Sequence, residues 1–487
     1  MKNKLAEVDS HESKSKVKKK RAAEDPRPTL AKKLRDKKDG ETREAGLKSA
    51  GVQRKTGSIL HYIYKSTLGQ SLHTHMRQCL QEPFIRSLSS YHFHGSSSLF
   101  DRRITCLEWH PTHPTTLAAA SKGGDIFLLD FTNPTNKTFY KGNGAGDSIG
   151  GMKFCPTDLS KVYLASGEGT LTLKSFEGHA PTLLSRTADC DHNHHDVCFW
   201  YCCVDVSVSR QMLVTGDNMG QLVLLGLDGQ KIFREKLHKA KVTHAEFNPR
   251  CDWLLATASV DHTVKLWDLR NLKDKKSFLH ELPHEKAVNS AYFNPSDCSK
   301  LLTTDQYDQI RVYASCDWTK PQQIIQHPHR QFQHLTPIKA TWHPMYDLIV
   351  AGRYPDDRFC TTDERTIDIF DSNTGELVFQ LYDSTATGIK SINKFSPMGD
   401  RIGSGMGLTL LVWDHDESLV DDRDKPHEET PTSSGSLRGQ RRSLQRSSRD
   451  RKGSAGDAKL KKKLAALEET ETKTKTKQKQ AQTKKKK

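Results

Sequence analysis

The segment HPHRQFQH, from His327 to His334, concentrates side chains that can stack and form hydrogen bonds. It holds three imidazoles, two amides, one guanidinium and one phenyl ring, without the alternation of apolar and polar residues that marks a strand. A solvated loop rarely carries a phenyl ring between polar neighbours. Insertion of Phe332 between nucleic-acid bases is one interpretation, because a planar apolar ring can replace lost base stacking. A plain surface loop is the other.

Two further segments have suggestive composition but lack the spacing that chemistry requires. Cys190–Cys203 (CDHNHHDVCFWYCC) has the residue types of a zinc site without paired C-x₂-C spacing, and predicts a His-rich loop beside a buried strand. Gly142–Gly150 (GNGAGDSIG) is glycine-rich but fits a turn between repeats better than a nucleotide cradle. No G-x-x-x-x-G-K-[ST] phosphate loop occurs. We therefore expect a binding protein with no metal, no cofactor and no catalytic activity.

The charge of the chain lies mainly in its ends. Residues 1–57 carry 18 Lys and Arg against 9 Asp and Glu, and residues 421–487 carry 21 against 10. The two ends together carry a net charge of +20, so the total of +16 leaves −4 for residues 58–420. The ends are rich in Lys, Ser, Glu and Thr and poor in aromatic residues, which predicts disorder. The central part is therefore predicted to be globular and not basic overall.

The basic runs near the ends suit nuclear import or loose attraction to phosphate. The clearest run is Lys14–Arg21 (KSKVKKKR), and its candidate import residues are Lys18, Lys19, Lys20 and Arg21. A solvated tail without a specific role is the alternative. No run approaches the ~18 apolar residues of a membrane span, and the N-terminus lacks an apolar signal core. The eleven cysteines show no framework spacing, so we expect an intracellular, nuclear protein with reduced thiols.

A repeat of about 46 residues runs through the centre of the chain. Each copy has a short apolar strand that ends in an aromatic residue and a proline two positions on; the prolines are Pro111, Pro156, Pro249, Pro295, Pro344 and Pro397. The gap of 93 residues between the second and third is twice the repeat, which places a degenerate copy at Cys202–Arg210. Seven copies, two of which end in WD, resemble an all-β, seven-bladed WD-repeat β-propeller.

A helical segment is predicted ahead of the repeats. Leu72, Met76 and Leu80 recur every four residues and Phe84 extends the same apolar face, although Pro83 should interrupt or kink the helix. A partner could cover this face, or the propeller's own rim could. The predicted organisation is a basic tail at 1–57, a helical segment at 58–99, the propeller at 100–420 and a second basic tail at 421–487.

Several segments together resemble one family closely. The stretches FDRRITCLEWHPTHP, LHKAKVTHAEFNP and HRQFQHLTPIKATWHP are similar to those of the small subunits of UV-damaged-DNA-binding complexes. The likeness runs from about Ser58 to Trp413 and excludes the C-terminal tail. WDLR at Trp267–Arg270 and the helical segment resemble substrate receptors of cullin-type ubiquitin ligases.

The resemblance implies a non-enzymatic sensor that flips UV photodimers out of duplex DNA. In this family a hairpin, here Phe332, Gln333 and His334, enters the minor groove, and the flipped pair occupies a shallow pocket. The candidate phosphate contacts lie at predicted blade edges or loops and are Arg103, Lys122, Lys241, Arg330, Arg353 and Arg365, each of which could instead be a solvated charge on the rim. Of these, Lys241 and Arg330 match the family's backbone-contacting positions best. Tyr354 and Trp200 are the candidates for lining the pocket. Those implied to dock the ligase adaptor are Leu72, Met76, Leu80, Phe84 and Arg270.

The resemblance also implies partners and a compartment. The expected partners are double-stranded DNA with UV photoproducts, the large subunit of the complex, a cullin-RING ubiquitin ligase, and histones and nucleosomes, but no membrane. The expected location is the nucleus, with chromatin association after damage. The alternatives are a propeller that binds a protein degron and touches DNA only through its tails, and a chromatin scaffold that reads histone tails.

Overall fold

The computed structural model describes residue 63 and residues 73–97, 100–133, 137–188, 198–355 and 364–415. The predictions for both tails, for Lys18, Lys19, Lys20 and Arg21, and for Leu72 fall outside these residues. Within them, no helix is long and apolar enough to cross a membrane.

Seven four-stranded antiparallel sheets make up the described chain, one for each predicted repeat. The first four blades consist of β2 (Ile104–Trp109), β3 (Thr116–Ser121), β4 (Ile126–Asp130) and β5 (Lys137–Tyr140); β6 (Ile149–Cys155), β7 (Asp158–Ser166), β8 (Thr170–Ser175) and β9 (Thr182–Arg186); β10 (Tyr201–Ser207), β11 (Met212–Asp217), β12 (Gln221–Gly226) and β13 (Lys231–Lys236); and β14 (Val242–Phe247), β15 (Leu254–Ser259), β16 (Thr263–Asp268) and β17 (Phe278–Pro283). The seven-bladed all-β prediction is confirmed.

The remaining blades follow the same order until the ring closes. They consist of β18 (Val288–Phe293), β19 (Lys300–Asp305), β20 (Gln309–Ala314) and β21 (Asp317–Gln326); β22 (Thr341–Trp342), β23 (Leu348–Gly352), β24 (Ile367–Asp371) and β25 (Leu377–Leu381); and β26 (Lys390–Phe395), β27 (Ile402–Met406) and β28 (Thr409–His415) with β1 (Tyr91–Ser97). The degenerate third copy is strand β10, as its spacing predicts.

The seventh blade takes its outer strand from the N-terminal side of the chain. Residues Tyr91–Ser97 pair antiparallel with β28, so the propeller begins at Tyr91 and the predicted helical segment 58–99 is wrong over this stretch. An unpaired edge of β28 would expose its backbone N–H and C=O groups. Pairing with β1 covers that edge and joins the two ends of the propeller.

Polar contacts within a blade explain the WD pattern. In the fourth blade the His238 ring lies 3.0 Å from Asp261 Oδ2 and 2.7 Å from Thr257 Oγ1, and Trp267 Nε1–H donates to the same hydroxyl at 2.8 Å. The tight turn between β15 and β16 places His262 at a φ of 70°. These residues tie β15 and β16 to the loop that leads into β14, which is a structural role for the WD tryptophan.

Helix α1 (His73–Ser87) precedes the propeller and is followed by a short 3-10 helix, Leu88–Ser90. It is not interrupted at Pro83, although that ring removes one backbone donor. Phe84 and Ile85 pack against the core of the last two blades, and Leu88 is fully buried there. This tertiary contact offsets the cost of the proline.

Strand alternation divides the loops between two faces. On the front face lie the loops that lead into each first strand and those that join second to third strands, such as residues 237–241 and 260–262. On the back face lie the loops that join first to second and third to fourth strands, such as residues 248–253 and 269–277. Because each blade is antiparallel throughout, a residue's place in the strand order fixes its face.

Candidate nucleic-acid interface

The loop of residues 327–338, here called the reading loop, joins β21 to β22 on the front face. The Leu335 N–H donates to the Phe332 carbonyl at 3.0 Å and closes a turn. Gln333 and His334 occupy the two central positions of this turn and are exposed. No strand pairing flanks this turn, so the segment predicted as the lesion-reading hairpin is a compact loop here.

Three neighbours hold the Phe332 ring. The Tyr354 ring meets it edge-on with centroids 5.2 Å apart, and the Arg330 guanidinium lies 5.2 Å from its centroid. The His334 ring lies 5.6 Å away. Arg330 also stacks on Tyr307 at 5.4 Å. A cation over an aromatic face stabilises both partners, so phenyl ring and guanidinium are positioned together beside the exposed turn.

The base of the loop is anchored to two blades. The Gln331 N–H donates to the Gln306 carbonyl at 3.0 Å, and the Tyr354 N–H donates to the Pro328 carbonyl at 2.9 Å. The side chains of His327 and His329 are buried beneath the loop. Two of the three imidazoles therefore point away from the front surface, and burial lowers the pKa of His327 to about 4.

A pocket of about 280 Å³ opens beside the turn, between the reading loop and the seventh blade. Its lining is mainly apolar and comprises Arg103, His334, Leu335, Thr336, Gly388, Ile389, Ser391, Met406 and Gly407. Gly407 has a φ of 60°, and a Cβ there would meet nothing within 4 Å. The turn between β27 and β28 thus leaves this side of the pocket open.

Tyr354 and Trp200, the two aromatic residues predicted to line a lesion pocket, are not among the residues that line this cavity. The Tyr354 ring packs against Phe332. Trp200 precedes β10, and its backbone N–H donates to Asn218 Oδ1 at 3.1 Å. The contact of Tyr354 and Trp200 with a flipped lesion stays a prediction, and a cavity lined by residues of the seventh blade was not predicted from the sequence.

The predicted cations all lie on the front face but in different settings. Arg103 lines the pocket. Lys122 is exposed, but partial desolvation and the nearby positive charges of Arg103 and Arg102 lower its pKa. Lys241 leads into β14 and is partly exposed. Of the two cations that follow β23, Arg353 donates through Nε to buried Asp368 at 2.8 Å, and Arg365 is exposed. Arg353 is therefore held as a structural group.

The predicted adaptor-docking residues that the structure describes, Met76, Leu80, Phe84 and Arg270, lie on the back face. Arg77 of α1 pairs with Asp347 at 3.1 Å, and the Phe84 ring lies 4.7 Å from His343 and 5.1 Å from Tyr346. Phe84 is therefore used within the chain, contrary to its predicted role, because the propeller's own rim covers this end of the helix.

Two other predicted docking residues remain at the back surface. Leu80 of α1 is 48% exposed, whereas Met76 is partly buried. Arg270 donates to Asp268 at 2.8 Å and stacks on Trp253 at 4.2 Å, yet more than half of its side chain is exposed. An exposed leucine on a fixed helix and a fixed guanidinium give this face an amphipathic character.

Two sequence matches to catalytic patterns do not form the corresponding sites. His280–His284 reads HELPH, but it lies on and just after strand β17, where a zinc-binding H-E-x-x-H needs a helix. Gly146–Gly150 reads GDSIG, but it leads into strand β6 rather than from a strand into a helix. In the part of the chain that the structure describes, no three His, Cys, Asp or Glu side chains could hold a metal ion together.

The ring of blades and the loop on its front face define the class: a WD-repeat β-propeller. A family profile described as "WD domain, G-beta repeat" matches residues 229–268. The chain is 57% identical over 472 residues to DNA damage-binding protein 2 of Danio rerio, covering 94% of each chain. Identity is 58% over 415 residues to the protein of that name from Gallus gallus, covering 84% of this chain and 81% of the relative. The chain belongs to the DNA damage-binding protein 2 family.

A plant relative is more distant. The chain is 32% identical over 325 residues to Protein DAMAGED DNA-BINDING 2 of Arabidopsis thaliana, which covers 64% of this chain and 57% of the relative.

Proposed function

We propose that this protein is a non-catalytic sensor of damaged duplex DNA that reads UV photodimers with its front face. The observation that carries the proposal is the placement of Phe332 at an exposed turn, beside cations and an open pocket. The names of the relatives support it, since they are called DNA damage-binding proteins.

In the proposed mechanism the damaged bases leave the base stack and a side chain of the protein takes their place. A damaged pair costs less to unstack than a normal pair, for which flipping costs a few kcal/mol. Phe332 fills the vacated space, and Gln333 and His334 offer donors and acceptors to the unpaired bases on the opposite strand. The flipped nucleotides enter the pocket that Arg103 lines. Residues 58–420 carry a net charge of −4, so their overall charge does not attract DNA phosphates. Local cations on the front face supply the phosphate contacts instead: Arg103, Lys122, Lys241, Arg330 and Arg365.

We propose further that the back face docks the protein onto the large subunit of the complex and so onto a cullin-RING ubiquitin ligase. Exposed Leu80 on α1 supports this, because an apolar side chain held on a rigid helix suits a hydrophobic groove. Strand order puts this surface and the reading loop on opposite faces, so one molecule can bind DNA and ligase together. Nuclear location, chromatin association after damage and contact with histones belong to the same proposal.

The decisive experiment compares duplexes that differ only in one photodimer. Full-length protein is titrated into fluorescent damaged and plain duplexes of the same sequence at a fixed salt concentration, and anisotropy gives both dissociation constants. Their ratio, plain over damaged, is the lesion preference. We expect a preference well above tenfold, the size of a single good specificity contact. Equal affinity for the two duplexes would contradict the proposal and favour a degron adaptor with only nonspecific DNA contact.

A further inference from the structure

Two buried histidines form a chain of contacts beneath the reading loop. Nδ1 of His327 lies 3.1 Å from Nδ1 of His329, and the two rings are stacked with centroids 5.2 Å apart. The outer nitrogens face carboxylates: His329 Nε2 lies 3.1 Å from Asp305 Oδ1, and His327 Nε2 lies 3.4 Å from Asp368 Oδ2. This series of side-chain contacts thus links the end of β19 in the fifth blade to β24 in the sixth.

The number of protons on the two rings limits how many of these contacts can be hydrogen bonds. A neutral imidazole carries one N–H, and the contact between the Nδ1 atoms is a hydrogen bond only if one of them is protonated. The histidine that donates there has a bare Nε2, and the histidine that accepts carries its proton on Nε2. With both rings neutral, one carboxylate receives a donor and the other faces a nitrogen lone pair.

The geometry assigns the two roles. His329 Nε2 has hydrogen-bond geometry to both the side chain and the carbonyl of Asp305, at 3.1 and 3.2 Å. His327 Nε2 is buried and makes no hydrogen bond of good geometry to the described residues, despite its 3.4 Å approach to Asp368. His327 is therefore the Nδ1–H donor and His329 the Nε2–H donor. Burial favours the neutral form of His327, since it lowers the pKa of that ring to about 4.

The carboxylates are held independently of the histidines. Asp305 Oδ1 accepts the backbone N–H groups of residues 307–309 at 2.8 to 3.0 Å. Asp368 accepts from Arg353 at 2.8 Å and from Gln380 at 3.0 Å. The charged groups that face the pair are Asp305, Asp308, Asp368 and Arg353. These fixed anchors make the histidine pair a defined support for the loop above it.

We infer that His327 and His329 are positioning residues of the reading loop and that the N–H···N bond between them is the part that matters for reading DNA. The inference rests on the proposed function. Phe332 lies three residues after His329 in the sequence, so the bond fixes where the turn leaves the blade. A loop that is fixed before binding avoids the entropy cost of ordering on the DNA. Loss of the bond should therefore reduce lesion preference and leave nonspecific binding unchanged.

The test separates the two nitrogens of His327 with isosteric amides. The amide of an asparagine side chain can stand in for Nδ1–H, whereas that of glutamine stands in for Nε2. We expect His327→Asn to keep the lesion preference within about twofold and His327→Gln to lower it about tenfold, the size of one lost buried hydrogen bond. His284 is the matched control, because it is buried at the equivalent position one blade earlier and contacts Thr303 instead of the loop. His284→Asn and His284→Gln should leave the preference unchanged.

Two outcomes overturn the inference. One is an equal loss of preference in His327→Asn and His327→Gln; the other is an equal loss in the His284 variants. If the unmodified protein shows no lesion preference, the proposed function itself fails, which is a distinct result.

A second test, by NMR spectroscopy, uses the unmodified protein without DNA. Nitrogen-15 NMR of full-length protein labelled at histidine reports which ring nitrogen carries the proton. We expect the coupled pair to contain one Nδ1–H and one Nε2–H ring at neutral pH. Two Nε2–H rings would exclude the bond between the Nδ1 atoms and overturn the assignment.

Discussion

Phe332, Gln333 and His334 are the residues whose loss should separate lesion reading from general DNA binding. Replacing all three by alanine removes the inserted ring and the polar groups at the exposed turn, but not the cations elsewhere on the front face. We expect lesion preference to fall to about one while plain-duplex affinity stays within about threefold, because phosphate contacts supply the nonspecific part. Anisotropy titration on both duplexes measures this. Met398→Ala, an exposed apolar position on the back face, serves as control, and unchanged discrimination in the triple variant would contradict insertion.

Lys241 should behave as a phosphate contact rather than a reader of bases. It leads into β14 on the front face, away from the residues that line the pocket. We expect Lys241→Glu to weaken binding to damaged and plain duplex by similar factors and to lower the salt slope by about 0.9. Titrations over a series of salt concentrations measure both effects. Lys273→Glu, exposed on the back face of the same blade, should change neither; a loss confined to damaged DNA would place Lys241 at the lesion instead.

Helix α1 is the element that should bind the large subunit, and only the side that faces away from the propeller should take part. Its inner side is committed to the rim by Arg77, Gln81 and Phe84, so removing the helix would also damage the core. Leu80→Glu places a charge on the exposed side and should abolish co-purification with the large subunit. Damaged-duplex affinity should fall less than about tenfold, or ~1.4 kcal/mol. Gln78→Glu, an exposed polar position of the same helix, is the matched control. Retained co-purification of the Leu80 variant would move the docking surface elsewhere.

Histidines that are buried in neutral form should each make the propeller less stable as the pH falls, whereas Glu246 acts in the opposite direction because burial raises its pKa to about 8. Burial lowers the pKa of His284 and His327 to about 4 and that of His343 to about 3. Below the unfolded value of about 6.5 the unfolded chain binds protons that the folded chain does not, so the free energy of unfolding falls as pH falls. At pH 5.5 each buried histidine should cost about 1 kcal/mol relative to pH 7.5.

Thermal unfolding between pH 7.5 and 5.5 measures this loss for the molecule as a whole. His284→Gln should reduce the pH dependence, since one of the three groups is removed, even if it lowers the melting temperature overall. A pH dependence of the melting temperature that is identical in His284→Gln and the unmodified protein would contradict the lowered pKa of His284.

Much of the architecture follows from the sequence because it depends on local repetition. The spacing of the strand–proline copies predicts seven blades, including the degenerate β10, since each copy encodes the same turns and the same alternation of buried residues. The unusual composition of residues 327–334 likewise marks the reading loop before any contact is known. Arg77 and Gln81, by contrast, attach α1 to acidic groups from blades five and six, and nothing in the local sequence signals those contacts.

Local repetition and composition thus suffice to predict the number of blades, the position of the reading loop and the residue types it presents. The closed ring of blades decided which of the loop's imidazoles face outward, because His327 and His329 turn inward to carboxylates on β19 and β24. The fold also decided that Tyr91–Ser97 closes the ring and that residues of the seventh blade line the pocket. These features depend on groups that lie far apart in the chain and meet only when the blades close into a ring, so no local pattern could predict them.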